Sequence, residues 1–412
     1  KCQVTQVSIS LHVLHKMKSL SRLSTKLTKS LPATRSLSSS HTFPSPNSIE
    51  GRNYTHGSID VHTHCYLPRY MEVLRNRHPN VPYVIPDPRD SSLDERYVIL
   101  PGEDNDPTSA IGRPIGEEYF CVKEKLRYMD RHGIAISVMS LANPWLDFLP
   151  KDDAVAMSTL LNDDLQEISE GSKGRLYGFA TLATQDPIAA CKEVERLATS
   201  QRKIKGVILG TSGAGKGLDD PALEPLYETL AKHNFPVFLH PHYGLGNEHY
   251  NNTGHSLFLA LGFPFETTMA ISRLILSGAF DRHPNLKFLL AHAGGTLPFL
   301  AGRLDSCVSG DHEMCDKLMH PPTYYMKKNF YYDSVIYTTP ALQSVIDLVG
   351  SDKLMYGTDN PFFPPKEGAR SDAEWPSTAK NYDAIDGLED ESVRNAIVYG
   401  NASNILGIDL LE

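Results

Sequence analysis

Ile59-Asp60-Val61-His62-Thr63-His64 sets two histidines two residues apart at the end of a short apolar run. In a β-strand, residues i and i+2 project from the same face. His62 and His64 therefore aim two imidazoles at one point, as a divalent metal needs. Alone the pair is a weak signal, since a His-x-His is more often ordinary surface or core histidine. Further ligands at the ends of later strands would turn it into a site.

Outward from this stretch the chain alternates. Apolar, strand-like runs fall at 58–61, 134–141, 176–182, 204–209, 236–239, 286–291, 330–336 and 353–356. Helical patterns lie between them. Asp186-Pro187, Asp220-Pro221 and Thr339-Pro340 each read as an N-cap followed by a proline at the first helical position. After Thr339, the residues Leu342, Val345, Ile346 and Val349 keep the i, i+3, i+4, i+7 stripe, and Gly350 closes the helix. The helix before the second strand carries Leu126 and Met129 and ends at Gly133. Strands alternating with helices predict an α/β chain folded as a (β/α)8 TIM-type barrel over residues 58–412, with an open doubly wound sheet as the alternative. No internal repeat stands out. Two stretches interrupt the alternation, 66–119 and 241–264, and loops of such length at strand ends usually shape a barrel's active site.

The bulk properties agree. With 412 residues and 41% hydrophobic content, the chain has the material for a large core. Residues 1–57 hold eight Lys/Arg and one acid, Glu50, which leaves 32 basic and 48 acidic residues in the remainder. A balance of −16 there argues against a nucleic-acid partner. Six cysteines at irregular spacings, with no CxxC pair, read as reduced thiols of a cytoplasmic protein. No run of eighteen apolar residues predicts a membrane span. Residues 1–57 are basic and Ser-rich, and from Met17 onward they follow the pattern of an organelle transit peptide, mitochondrial import being the alternative to cytoplasmic residence. A flexible tail, or an upstream stretch that is not translated, is the other reading of this segment.

Barrel active sites sit at the carboxyl ends of strands. The first predicted strand runs into His62 and His64, the fifth into His240 and His242, the sixth into His292, and the eighth into Asp359. Each alone is more readily a capped core histidine or a loop aspartate; their shared position on one ring points to a metal centre. Imidazole and carboxylate both suit zinc. A second metal bridged by a carbamylated lysine would need that lysine at the carboxyl end of the fourth strand, whereas Lys205 is at its beginning. One metal per subunit is therefore expected. The run Gly210-Thr-Ser-Gly-Ala-Gly-Lys216 lacks the phosphate-loop pattern, because Gly217 follows the lysine, and it reads as a tight βα loop.

Longer stretches carry a resemblance. They are Asp-Val-His-Thr-His-Cys-Tyr-Leu-Pro from Asp60, Ser-Leu-Ala-Asn-Pro-Trp-Leu-Asp-Phe from Ser140, and Gly-Val-Ile-Leu-Gly-Thr-Ser-Gly-Ala-Gly-Lys-Gly-Leu-Asp-Asp from Gly206. Phe-Leu-His-Pro-His-Tyr-Gly-Leu from Phe238, Ala-Leu-Gly-Phe-Pro-Phe-Glu-Thr-Thr from Ala260 and Leu-Ala-His-Ala-Gly-Gly-Thr-Leu-Pro-Phe-Leu-Ala-Gly-Arg from Leu290 continue them, and Tyr-Gly-Thr-Asp-Asn-Pro-Phe-Phe-Pro-Pro from Tyr356 completes the set. From Ile59 to Leu411 the sequence resembles the amidohydrolase superfamily, in the branch of aminocarboxymuconate semialdehyde decarboxylase and other nonoxidative decarboxylases. Within that branch it is most similar to fungal uracil-5-carboxylate (isoorotate) decarboxylases.

The resemblance implies zinc on His62, His64, His240 and Asp359, with His292 beside the metal and Asp359 and His292 as catalytic groups. It implies substrate contacts from Arg113, Asn143, Phe263, Phe362 and Arg303. It also implies a homodimer or homotetramer in which the matching arginine often reaches a neighbour's site. By residue type alone, Arg113 reads as a surface ion-pair partner, Asn143 as a turn residue before Pro144, and the two phenylalanines as core. The implied reaction converts uracil-5-carboxylate to uracil and carbon dioxide. The alternatives are decarboxylation of aminocarboxymuconate semialdehyde or a salicylate-type acid, metal-dependent hydrolysis of an amide, lactone or ester, and a barrel without catalysis. The stretch 66–119 fits the family least well.

Overall fold

The computed structural model describes residues 57–99, 112–250, 253 and 255–408. Of the basic extension only Gly57 falls within them, so the transit-peptide reading lies outside the described residues.

Strand β1 (Ser58–Cys65) opens a parallel sheet. The next three strands, β2 (Tyr83–Ile85), β3 (Glu95–Val98) and β4 (Arg113–Ile115), form a separate antiparallel sheet. The parallel sheet resumes with β5 (Ile134–Leu141), β6 (Leu176–Thr181), β7 (Ile204–Gly210), β8 (Val237–His240), β9 (Phe288–Leu290), β10 (Phe330–Asp333) and β11 (Leu354–Met355). Each of these strands pairs in parallel with the next, giving eight in the order β1, then β5 through β11. The two edges meet: Val61 N–H donates to Tyr356 O (3.0 Å), His64 N–H donates to Asn360 O (2.7 Å), and Thr63 bridges Asn360 in parallel. The (β/α)8 expectation holds. A parallel sheet covered by helices is buried on both faces, and all six residues of β6 are buried although only some are aliphatic.

The main helices are α1 (Pro68–Arg75), α2 (Val122–Arg131), α3 (Lys151–Gly171), α4 (Pro187–Ser200), α5 (Glu224–Lys232), α6 (Phe263–Leu276), α7 (Leu297–Ser309) and α8 (Thr339–Val349). Asp186 caps α4 by accepting from Ala189 N–H (3.1 Å). Asp220 accepts from Ala222 N–H (3.0 Å) at the start of a 3-10 turn that runs into α5. The third expected cap is one residue off. Thr339 is already helical, and the extended residue before it, Thr338, makes no side-chain cap. Proline is tolerated anywhere in a first turn, where N–H groups lack intrahelical partners, so Pro340 did not fix the start.

Strands β6, β9, β10 and β11 are shorter than the runs expected, the last two for local reasons. β10 stops at Asp333, whose carboxylate takes the N–H of Val335 (3.0 Å) away from the ladder. β11 stops at Met355 because the chain then turns its amides toward His62. The stretch 66–119, expected as loop, contains α1 and the antiparallel sheet. The helical segment Phe258–Leu276 has the length and hydropathy of a membrane span. One face of it, with Thr267, Ile271, Leu274 and Ile275, is buried within the protein, while Leu261, Phe265 and Met269 are exposed.

Gly357 marks the tightest packing at the seam. A Cβ there would lie 2.8 Å from His62 Cβ and 3.1 Å from Val335 Cγ2. Overpacking of this kind costs about 1–3 kcal/mol. Gly357→Ala should lower unfolding stability by that order in denaturant titration; an unchanged midpoint would mean that the seam is looser than its geometry.

Candidate active site

Four side chains converge at the carboxyl end of the barrel. His62 and His64 come from β1, His240 ends β8, and Asp359 follows β11. Their ligand atoms all lie within 4.8 Å of one another, and all four residues are buried. Asp359 Oδ1 stands 3.3 Å from both His62 Nε2 and His64 Nε2.

The hydrogen bonds on the outer side of each ring fix its tautomer. His62 Nδ1–H donates to Asp333 Oδ2 (2.5 Å). His240 Nδ1–H donates to Pro241 O (2.7 Å). Ser140 Oγ donates to Thr63 O (3.1 Å) and so accepts from His64 Nδ1–H (3.0 Å). Every Nε2 lone pair then faces the centre, the arrangement by which metal-ligating histidines are oriented. The 3.1 Å separation of His62 Nε2 and His64 Nε2 therefore sets two acceptors against each other. His240 Nε2 and Asp359 Oδ1 are buried there with no hydrogen-bond partner. A cation satisfies all of these atoms at once, so the donor set fits a divalent metal.

Electrostatics agree. Burial pushes His64 down to about 4 and holds His240 well below the imidazole range, so both are neutral ligands. Burial acts downward on His62 too, but Asp359 and Asp333 outweigh it and raise His62 to about 10. Two buried carboxylates thus demand a positive charge at this point, supplied by a proton on His62 or by a metal. His292 completes the ring, with Nε2 3.7 Å from Asp359 Oδ2. His292 and Asp359 have φ of 54° and 60°, a left-handed conformation that side chains rarely adopt and that gathers at functional sites.

The cluster forms the floor of a cleft of about 750 Å³. Arg113, Asn143, Phe263 and Phe362 line it together with His240, His292 and Asp359. Arg113 rises from β4 of the inserted sheet and lies 4.7 Å from the Phe362 ring centre and 5.2 Å from that of Tyr97. It also hydrogen-bonds the Tyr66 hydroxyl. Asn143 is not merely a turn residue: it is buried, and its Nδ2 donates to His242 O (3.0 Å). Arg303 is not brought to this cleft. It is exposed on α7 and absent from the lining. Lys205, at the other end of its strand, donates to Gly407 O (2.8 Å). The run 210–217 is a tight loop closed on itself by Gly217 N–H to Ser212 O (2.9 Å).

Two carboxylates that support the site escaped the sequence reading. Asp333 accepts from His62 Nδ1–H and from the amides of His292 (3.0 Å), Ala293 (2.8 Å) and Val335 (3.0 Å). It ends an apolar strand, the same signal that singled out Asp359. Glu266, on α6, gathers the amides of His242 (2.8 Å), Tyr243 (3.1 Å) and Gly244 with the Thr211 hydroxyl, and so holds the loop after β8. Its signal is a lone acid in an otherwise apolar helix.

A family model described as amidohydrolase matches residues 125–408. The chain belongs to that family. It is 27% identical over 354 residues to the 2-amino-3-carboxymuconate-6-semialdehyde decarboxylase of Dictyostelium discoideum, covering 85% of this chain and 92% of that protein. It is 31% identical over 255 residues to the gamma-resorcylate decarboxylase of Rhizobium radiobacter, covering 58% and 76%. The apo crystal structure of Metarhizium anisopliae isoorotate decarboxylase (IDCase) superposes with a TM-score of 0.81 at 40% identity, covering 86% of this chain and 98% of that one. This amidohydrolase is a carboxy-lyase with a buried metal-binding cluster.

Removing charge behind a ligand histidine typically costs about 10–100-fold in metal affinity. Asp333→Asn keeps the shape and removes the charge, and it should weaken metal retention by that order in dialysis against a chelator. Wild-type retention would deny Asp333 its orienting role.

Proposed function

We propose that the chain converts uracil-5-carboxylate to uracil and carbon dioxide with one zinc ion per subunit. The observation that supports this reading is the lining of a single cleft by Arg113, Asn143, Phe263 and Phe362 beside His240, His292 and Asp359. His62, His64, His240 and Asp359 would hold a cation, which when bound would supply Lewis-acid stabilisation of the substrate's negative charge. Arg113 carries a guanidinium fork matched to anionic oxygens. Asn143 has committed Nδ2 to His242 O, which leaves Oδ1 to accept a ring N–H. Phe263 and Phe362 flank the cluster, with ring centres 6.0 Å from His240 and 5.5 Å from His64 respectively, and restrict the site to a flat ring.

Decarboxylation without an organic cofactor needs an electron sink. Protonation of the ring carbon that bears the carboxylate creates one; the C–C bond then breaks, its electron pair returns to the ring, and carbon dioxide leaves. Asp359 and His292 are the groups positioned to move that proton. Burial would raise the Asp359 pKa, but His62, His292 and His64 outweigh it and hold it well below the usual carboxylate range. Asp359 Oδ2 and His292 Nε2, 3.7 Å apart, are the pair through which we route the proton.

A salicylate-type acid is the second reading, favoured by the similarity to gamma-resorcylate decarboxylase over 255 residues. Hydrolysis of an amide, lactone or ester is the reading from another class. We also propose a homodimer or homotetramer. Arg303 lies one turn from Phe299, which is 90% exposed on α7, so a second copy would cover an apolar face and receive the arginine. Five described cysteines are unpaired, which fits a cytoplasmic location.

Purified protein incubated with uracil-5-carboxylate should release uracil and carbon dioxide. Turnover of a salicylate with no uracil formed would move the assignment to the second reading, and hydrolysis without decarboxylation would overturn both. Asp359→Asn should abolish turnover, and Arg113→Ala should raise KM about tenfold or more, as for loss of a charge-assisted contact worth over ~1.4 kcal/mol. Metal analysis decides the cofactor, with one zinc per chain expected. Light scattering tests assembly: a monomer that is fully active, with Arg303→Ala unchanged in kcat/KM, would remove the interface.

A further inference from the structure

Lys125 is a buried cation that the proposed chemistry does not use. It sits on α2, outside the barrel strands, and is 5% exposed. Its Nζ donates to Thr63 Oγ1 and to Asn360 Oδ1 (2.8 Å), and it lies 5.0 Å from the Tyr128 ring centre. Its hydrogen bonds go to neutral oxygens, a ring face lies beside it, and the Asp60 carboxylate favours its charge from nearby. Burying an ammonium on such partners is expensive and persists where the surrounding structure demands it.

What it joins is informative. Thr63 is the residue between ligands His62 and His64, and Asn360 immediately follows ligand Asp359. Thr63 Oγ1 in turn donates to Asn360 O (3.0 Å), the same carbonyl that accepts His64 N–H (2.7 Å). On the other flank, buried Asp60 accepts from His62 N–H (3.1 Å), Thr358 N–H (3.1 Å) and Thr358 Oγ1 (2.7 Å). Thr358 Oγ1 then accepts from Asn360 N–H (3.1 Å). A cation and an anion that attract one another thus both hold the ligand-bearing segments 62–64 and 359.

We propose that Lys125 is a positioning residue for the metal centre, holding Thr63 and Asn360 so that the ligands on either side of the barrel seam keep one spacing. The inference rests on the metal site and is independent of which acid is the substrate. Lys125→Met keeps length and apolar volume while removing the charge and donors. In the full chain, Zn2+ affinity measured by competition with a chromophoric chelator should fall about 10–100-fold, the range for changes behind the ligands. Thermal melting in the presence of excess chelator reads stability separately.

Thr63 supplies the second arm. Thr63→Ser keeps the hydroxyl and should stay within about threefold of wild type, whereas Thr63→Val should match Lys125→Met. The double variant should bind no more weakly than the weaker single, as expected of one network. Folded Lys125→Met with wild-type zinc affinity would overturn the proposal, as would equal losses from the Ser and Val variants, which also decide the matter if Lys125→Met does not fold. Failure of the unaltered protein to bind zinc would instead overturn the zinc assignment.

Discussion

The hydrogen bonds between β1 and the segment after β11 close the barrel and assemble the metal cluster in one act. His62 O accepts from the amides of Thr358 (3.2 Å) and Asp359 (2.8 Å), and His64 N–H reaches Asn360 O. Three of the four ligands therefore stand on the two sides of one seam, and their spacing is the spacing of the seam. Only His240 arrives from elsewhere on the ring, at the end of β8. A barrel built from packed strands has little slack. Most folds place a site on a finished scaffold; here the last closure of the scaffold is the site, which explains why Gly357, Asp60 and Lys125 crowd around it.

The site concentrates costs that the scaffold must offset. Asp60, Asp333 and Asp359 are buried carboxylates, and three imidazoles point their lone pairs at one centre. Burial alone raises Asp60 to about 6, despite Lys125, Thr358 and His62. Left-handed backbone at His292, Ala293 and Asp359 adds strain. None of this stabilises the fold by itself. The supporting carboxylates are tolerated because fixed donors on neighbouring strands catch them, as Asp333 is caught by the His62 ring and three amides.

The barrel and the strand-end histidine and aspartate candidates were legible in the sequence because both follow from short-range pattern, while the choice of His62, His64, His240 and Asp359 among them came from the resemblance. Apolar runs ending in His or Asp report their own strand ends, and the period of a strand puts His62 and His64 on one face. What lay beyond reach was pairing across the chain. Asp333 meets His62 over 271 positions, and Lys125 meets Asn360 over 235. No local period encodes such contacts, although strand-end logic applied to Asp333 would have found it. The inserted sheet was missed for a different reason: its strands are three or four residues long, below the length at which alternation can be read. Arg303 marks a further boundary: it lies exposed on α7 and outside the cleft lining.

The division of labour between these elements bears on how reaction and substrate are chosen. Three of the four residues of the metal-binding cluster sit on segments locked by the seam, so its geometry follows from barrel closure. The residues facing the rest of the cleft come from less constrained pieces: Arg113 from the inserted sheet, Asn143 from the turn after β5, Phe263 from the start of α6, and Phe362 from the loop after β11. Each can change without disturbing the seam. Yet they are not independent of one another, because Arg113 stacks near Phe362, and Tyr66 links both Arg113 and the Asn143 carbonyl (3.0 Å). A substitution at Tyr66, which touches no residue of the metal-binding cluster in this network, would therefore shift two cleft-lining groups together. The cleft wall is thus a linked shell, laid over a cluster whose geometry the closure of the fold has already decided.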